Sequence, residues 1–245
     1  MKPLPRDRIL LTRTREGCAE WATEIETLGA VPVIFPCIQC EDITTSVLRE
    51  QLAREVPRAR WIAFTSKRGV AAFARLFPPH SLPLGGIHVA AVGPVTAEEA
   101  RARLGRVDLA GTGRTAAALA AELVPRLAPD DRVLIAIAEN AGRALEDALE
   151  ISGHACVRAE LYRTSPLPRL HQRLAASKLS ARNVFLASPS AVTGFCNQVR
   201  LDTTLDIFTI GPSTTRAARA ARLDVTREAP QPGLPGLMEA LHCAN

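Results

Sequence analysis

The chain has 245 residues, 47% hydrophobic and 22% charged, proportions that argue against disorder and suit one large domain or two smaller ones. Its formal net charge of +5 is carried almost wholly by arginine, Lys2, Lys67 and Lys178 being the only lysines, and favours an anionic partner, either a polyanionic metabolite or nucleic acid. No apolar run nears the roughly 20 residues that span a bilayer and the first residues lack a secretory apolar stretch, so the expected protein is cytoplasmic, with no membrane and with six cysteines present as buried free thiols.

Apolar runs expected to form buried strands fall at residues 9–12, 61–65, 88–92, 132–138, 183–187 and 207–210. After the first of them Cys18, Trp21, Ala22, Ile25 and Leu28 recur at helical spacing, and Gly29 follows as a stop signal. Strands alternating with helices imply parallel sheets covered on both faces. Runs 33–40 and 156–163 are extended and are expected to act as linkers, pairing with each other. Ala128-Pro129-Asp130-Asp131 at the midpoint is then a surface turn.

The pattern occurs twice. Ala91-Val92-Gly93-Pro94-Val95-Thr96 returns as Thr209-Ile210-Gly211-Pro212-Ser213-Thr214, residues 61–70 align with 183–192, and residues 8–11 with 132–135. A fixed self-similarity decides architecture before any single residue does. In open sheets of this kind the ligand crevice lies beyond the carboxyl ends of the strands. Those ends carry hydroxylic or small residues: Thr12-Arg13-Thr14, Thr65-Ser66, Gly93 to Thr96, Ser188-Pro189-Ser190, and Gly211 to Thr215. Each can cap the following helix and leave backbone N–H groups for an anion.

Other motifs are weaker. Gly111-Thr112-Gly113-Arg114-Thr115-Ala116 resembles a dinucleotide phosphate fingerprint, but its counterpart, residues 228–233, lacks the pattern, and a glycine-tolerant turn is preferred. Cys37-Ile38-Gln39-Cys40 has no second pair to complete a zinc site and does not open a helix as a redox motif should. His80, His88, His154, His171 and His242 show no metal-ligating spacing, and no GxSxG elbow is present. Arg216, Arg219 and Arg222 form a stripe, yet aromatic residues are only 4%, so a solvated helix face is preferred over nucleic-acid binding. Tyr162, the only tyrosine, is protonated at neutral pH and can donate to a leaving oxygen; a buried ring tied to backbone is the bland alternative.

The Phe64-Thr65-Ser66 strand end with Gly69-Val70, the two Gly-Pro turns, residues 188–192, Leu161-Tyr162-Arg163-Thr164 and residues 226–230 together resemble uroporphyrinogen-III synthase over residues 9–241. The resemblance implies two flavodoxin-like (Rossmann-like) parallel-sheet α/β domains with a cleft between them: residues 1–37 plus 166–245, and residues 42–161, joined by a two-stranded connector of residues 38–41 and 162–165. It implies that hydroxymethylbilane, a polycarboxylate received from the preceding enzyme of the pathway, loses water and closes to uroporphyrinogen III with inversion of its last ring, without metal or organic cofactor, in a monomer. Matching motif positions make Tyr162 the candidate proton donor. Thr96, Ser188, Thr214 and Thr215, then Ser66, Thr65, Ser190 and Arg13, are candidate substrate contacts. The chain departs from the family pattern at Arg68, at the turn 139–143, and at Arg222, where a helix-terminal glycine is usual. The competing reading is a non-catalytic protein with the same cleft that binds a polyanionic metabolite or tetrapyrrole.

Overall fold

A computed structural model describes residues 7–77, 86–113 and 115–244. His80 and Arg114, considered above, lie outside the described residues, as do residues 1–6. Among the described residues the strands are β1 (Arg8–Leu11), β2 (Val31–Ile34), β3 (Ile38–Asp42), β4 (Trp61–Phe64), β5 (His88–Ala91), β6 (Leu109–Ala110), β7 (Arg132–Ala138), β8 (Ala155–Pro166), β9 (Leu174–Ala175), β10 (Asn183–Leu186), β11 (Val199–Arg200), β12 (Asp206–Thr209) and β13 (Val225–Glu228). The α-helices are α1 (Arg15–Thr27), α2 (Ser46–Glu55), α3 (Lys67–Leu76), α4 (Pro94–Leu104), α5 (Ala116–Leu123), α6 (Ala144–Ile151), α7 (Pro189–Gln198), α8 (Pro212–Ala220) and α9 (Leu234–His242).

The chain divides into two units, Met1–Cys40 with Thr164–Asn245, and Glu41–Arg163. The first holds a sheet in the order β13-β12-β10-β1-β2, and the second a sheet in the order β3-β8-β7-β4-β5-β6. All four pairings of the first sheet are parallel, as are those from β8 through β6 in the second. Of the extended runs, β3 lies beside β8, flanked by Ile43 N–H donating to Leu161 O at 2.9 Å and Leu167 N–H to Cys37 O at 2.8 Å, whereas Val33 and Ile34 belong to β2 and pair with β1.

Numbered along the chain, the first sheet has the flavodoxin order 2-1-3-4-5. The strands β4 to β8 have the order 3-2-1-4-5 found in dinucleotide-binding halves. The spatial arrangement is nevertheless the same, because the pair entered first in one unit (β1, β2) matches the pair entered last in the other (β7, β8). Two faces of each sheet are buried. Ile62, Phe64, Val89 and Leu134 enter one cluster and Trp61, Ala63, Ala90, Val133 and Ile135 the opposite one. In the other unit Ile9, Leu11, Phe185 and Phe208 alternate in the same way with Leu10, Val184, Leu186 and Ile207. Such two-sided burial explains why these strands read as continuous apolar runs.

The structure corrects some expectations. Thr12, Thr65, Val92, Ala187 and Ile210 lie just past their strands, since each already leads into a helix cap. All six cysteines are free, but only Cys18 and Cys37 are buried, and Cys243 is exposed. Burial pushes the Cys18 thiol up to about 11 and raises that of Cys37 as well, so neither is a thiolate at neutral pH. The midpoint is a turn, closed by Asp131 N–H on Ala128 O and Ala128 N–H on Asp131 Oδ2, both at 3.0 Å.

Candidate functional site

In the unit Glu41–Arg163 the chain runs outward one way from β4 and the other way from β7, so the topological switch lies between these neighbouring strands. Beyond the end of β4, Ser66 is the N-cap of α3, its Oγ accepting from Gly69 N–H at 3.0 Å. Gly69 allows the helix to start there: a Cβ on it would stand 3.2 Å from Ala136 O of β7 and 3.3 Å from Ser66 Oγ. The same Ser66 oxygen lies 2.9 Å from Tyr162 Oη. Tyr162 is 9% exposed and follows a register shift against β7, where Ile137 pairs with Glu160 but Ala138 pairs with Tyr162. The extra residue breaks the alternation of β8, burying both Leu161 and Tyr162, the kind of re-aiming for which bulges are used.

The turn after β7 is held from β8. Arg158 Nη2 donates to the carbonyls of Ala138 (2.9 Å), Glu139 (3.2 Å) and Ala141 (3.0 Å). Its Nη1 lies 2.5 Å from Glu146 Oε1 and its Nε 2.8 Å from Glu160 Oε1. Glu146 is almost wholly buried, so this arginine neutralises an interior carboxylate while fixing a loop that has no side-chain cap of its own. Glu139 N–H then reaches Tyr162 O at 2.8 Å. Arg68, a departure from the family pattern, bonds Asp42 at 3.1 Å, as Arg75 does at 2.5 Å.

The Gly-Pro turns differ from the sequence expectation in which groups they present. Thr96, Thr214 and Thr215 are all buried. Thr215 Oγ1 is spent on Thr209 Oγ1 at 2.6 Å, on Gly211 O at 3.2 Å and on the Glu228 carboxylate, and Thr214 Oγ1 is buried without a partner. Pro94 and Val95, and Pro212 and Ser213, are the exposed residues of these turns, and of each pair only the second has a backbone N–H, a first-turn group with no partner within a helix. Ser188 caps α7 through Ala191 N–H at 3.1 Å and meets Ser190 Oγ at 3.0 Å. Arg13 folds back on α1, its guanidinium 4.4 Å from the centroid of Trp21 and 3.2 Å from Gly17 O. Thr65 is half-buried beside Ser66.

The glycines of residues 111–113 are packing residues. A Cβ on Gly111 would meet Val92 O at 2.9 Å, one on Gly93 would meet Gly113 O at 3.0 Å, and one on Gly113 would meet Ala118 Cβ at 2.3 Å. Glu122 accepts from both Thr112 N–H (2.9 Å) and Thr112 Oγ1 (2.8 Å). A side-chain carboxylate thus occupies donors that a phosphate would need. Among the described residues no three His, Cys, Asp or Glu side chains are grouped to hold a metal ion, and no helix is long and apolar enough to cross a membrane. Sequence reasoning missed Arg158, Glu146 and Glu228. Only the first has a faint signal, a cation in the middle of the extended run 156–163.

Fold and site together define a doubly wound α/β protein of two like units, with a buried tyrosine and a capping serine at the strand ends of one of them. The chain belongs to the uroporphyrinogen-III synthase HemD family, whose model matches residues 19–239. It is 26% identical over 234 residues to the porphyrin biosynthesis protein HemD of Ruminiclostridium josui, an alignment covering 91% of this chain and 45% of that protein. The chain therefore spans a little under half the length of that relative. It is similar in fold to a mutant uroporphyrinogen III synthase from the extremely thermophilic bacterium Thermus thermophilus (TM-score 0.56, 19% identity, 97% of this chain and 98% of that one). It also resembles the uroporphyrinogen-III synthetase of Helicobacter pylori (TM-score 0.62, 15% identity, 98% and 100%).

Proposed function

We propose that the chain converts hydroxymethylbilane to uroporphyrinogen III, acting as a cyclising lyase in haem biosynthesis, in the cytoplasm and as a monomer that takes its substrate from the preceding enzyme. The observation that carries this reading is the family match over residues 19–239. The chemistry asks for little beyond placement. One proton on the terminal hydroxyl lets the pyrrole nitrogen push out water and leaves an azafulvene cation, so no strong nucleophile is needed. Tyr162 is the proposed donor of that proton. Holding the reacting carbons together contributes on the order of 7 to 11 kcal/mol, and this restraint favours attack by the substituted carbon of the last ring over simple end-to-end closure.

The substrate's carboxylates are the proposed handles. With Thr96, Thr214 and Thr215 buried, the grip at the Gly-Pro turns is assigned to the N–H groups of Val95 and Ser213, with Ser188, Ser190, Thr65 and Arg13 as further contacts. The test is to add purified protein to freshly generated hydroxymethylbilane and resolve the uroporphyrin isomers after oxidation. Isomer III is expected; isomer I alone, as forms without enzyme, would reduce the chain to a binding protein. Tyr162→Phe is expected to lose most of the rate with folding intact.

A further inference from the structure

The 2.9 Å contact between Ser66 and Tyr162 gives Ser66 a role other than carboxylate binding. We propose that Ser66 is a positioning residue for the proton donor: its hydroxyl fixes the Tyr162 phenol at the start of α3 and stabilises the phenolate formed when that proton leaves. The inference rests on Tyr162 as the acid.

The bonding of Ser66 leaves it few alternatives. A serine hydroxyl has one hydrogen and two acceptor lone pairs. One acceptor direction of Ser66 Oγ is taken by Gly69 N–H at 3.0 Å, in the ordinary manner of an N-cap. While Tyr162 is protonated, either oxygen can donate across the 2.9 Å gap. Once the phenol has given its proton to the departing hydroxyl, the C–O bond has broken and water has left, the only hydrogen between the two oxygens is that of Ser66. It then donates to the phenolate. The N-terminal end of a ten-residue helix adds a positive field at the same point. The phenolate recovers a proton when the last ring loses one and regains aromaticity, so the tyrosine ends as it began.

The surroundings hold this pair in place. The register shift in β8 sets the ring, Glu139 N–H binds Tyr162 O at 2.8 Å, and Gly69 brings α3 against Ala136 O. Charged groups on the neighbouring elements are Lys67, Arg68 and Arg75 on α3, Asp42 on β3, Glu139 after β7, and Arg163 next to Tyr162. Arg68 and Arg75 bond Asp42, and Arg163 lies 3.7 Å from Glu139. The Ser66 side chain is a partner in none of these pairs.

Because Tyr162 is the only tyrosine, the near-ultraviolet absorbance of phenolate reports its ionisation alone. The experiment titrates the 245-residue chain and its Ser66→Ala, Ser66→Asp and Ser66→Thr variants, and measures kcat and KM for isomer III formation on each. Aspartate keeps the helix cap but has no hydrogen to give an anion, which guards against simple misfolding of the alanine variant. The expected result is a Tyr162 midpoint at least tenfold lower in proton concentration in Ser66→Ala and Ser66→Asp, a kcat reduced about tenfold or more with KM little changed, and both restored in Ser66→Thr. An unchanged midpoint, or a raised KM with kcat intact, would overturn the assignment and return Ser66 to substrate binding. Normal isomer III formation by Tyr162→Phe sinks the acid role instead, and a shifted midpoint in Ser66→Ala would then still stand as a structural contact, so the two failures are told apart.

Discussion

At the start of β5 the N–H of Val89 is met by the Asp108 carboxylate at 2.8 Å; at the matching place in the other unit the N–H of Ile207 is met by the Thr226 hydroxyl at 3.0 Å. The backbone need is the same and the side chain that answers it has changed. Where one unit has Ala91, Ala97 and Ala110, the other has Thr209, Thr215 and Glu228, three residues joined by hydrogen bonds. The register confirms the match, since Ala91 pairs with Ala110 and Thr209 with Glu228. Ala97 and Thr215 each close their turn with an N–H on the carbonyl of the turn glycine. Ser66 and Ser188 cap equivalent helices, but the first meets Tyr162 and the second meets Ser190. A repeated scaffold thus dictates where a donor or acceptor must be satisfied and leaves the chemistry of the partner open.

The sharpest contrast is between the turns after β7 and β1. The former hangs on Arg158, the latter on Thr14, whose hydroxyl accepts from Gly17 N–H at 3.1 Å. Arg158→Ala leaves the Glu146 carboxylate buried and unpaired, and a loss of about 3 to 5 kcal/mol is expected in denaturant unfolding. Thr14→Ala should lose only about 1 kcal/mol. Equal losses would mean that Arg158 is no more than a cap. Next comes Gly194 of α7, matched by Ala72 in α3. A Cβ on Gly194 would lie 1.8 Å from Cys37 O, so Gly194→Ala should lose about 3 kcal/mol, where Ala72 already carries the same methyl group in a buried position.

Converting the polar trio toward its alanine counterpart tests coupling. Thr215→Ala should lose about 2 kcal/mol by stranding its partners, and adding Thr209→Ala should cost less than the sum of the two single changes. For the Asp108 and Thr226 pair the discriminating variable is pH. Burial on its own would raise the Asp108 pKa, but the Arg106 guanidinium, Val89 N–H and His88 outweigh it and hold the carboxyl down at about 2. A folded value below the unfolded one of about 3.9 means stability that is present above about pH 4 and lost as pH falls toward 2. Asp108→Thr should remove that acid sensitivity, at a loss near neutral pH of about 1 to 2 kcal/mol. An unchanged acid limb would show that the titrating contribution lies elsewhere. The smallest effect is at the helix ends. The chain leaves α4 through Gly105 at φ 77° and leaves α8 through Arg222 at φ 60°, so the missing glycine is answered by an arginine in the left-handed conformation. Arg222→Gly should therefore gain about 0.5 to 1 kcal/mol in thermal unfolding, the reverse of what Gly105→Arg would do.

Central strands were legible in the sequence because burial on both faces makes them nearly continuous apolar runs, as in β4 and, after Asn183, β10. Edge strands were not: β2 and β13 carry exposed and partly exposed residues, and their pattern is indistinguishable from a loop. Within the candidate site, Ser66 and Tyr162 were each visible as chemical types, but their contact joins residues 96 positions apart and depends on a bulge that no periodicity announces. The threonines of the Gly-Pro turns were legible as turn residues, but the direction of their side chains was not: Thr96, Thr214 and Thr215 are buried, because a hydroxylic side chain at a helix start can turn inward as readily as outward.

The permuted strand orders bear on how the chain is made. Every strand from β4 to β8 is available once residue 166 has emerged, so that sheet can close during synthesis. β1, in contrast, finds its inner neighbour only in β10, and the bond from Thr12 to Phe185 closes a separation of 173 residues. Until then β1 and β2 are an exposed parallel pair awaiting the last third of the polypeptide. Non-local pairing of this kind is slow and leaves strand edges open to wrong partners, so a ribosome that stalls between the two events would release a chain with one finished sheet and one sticky end.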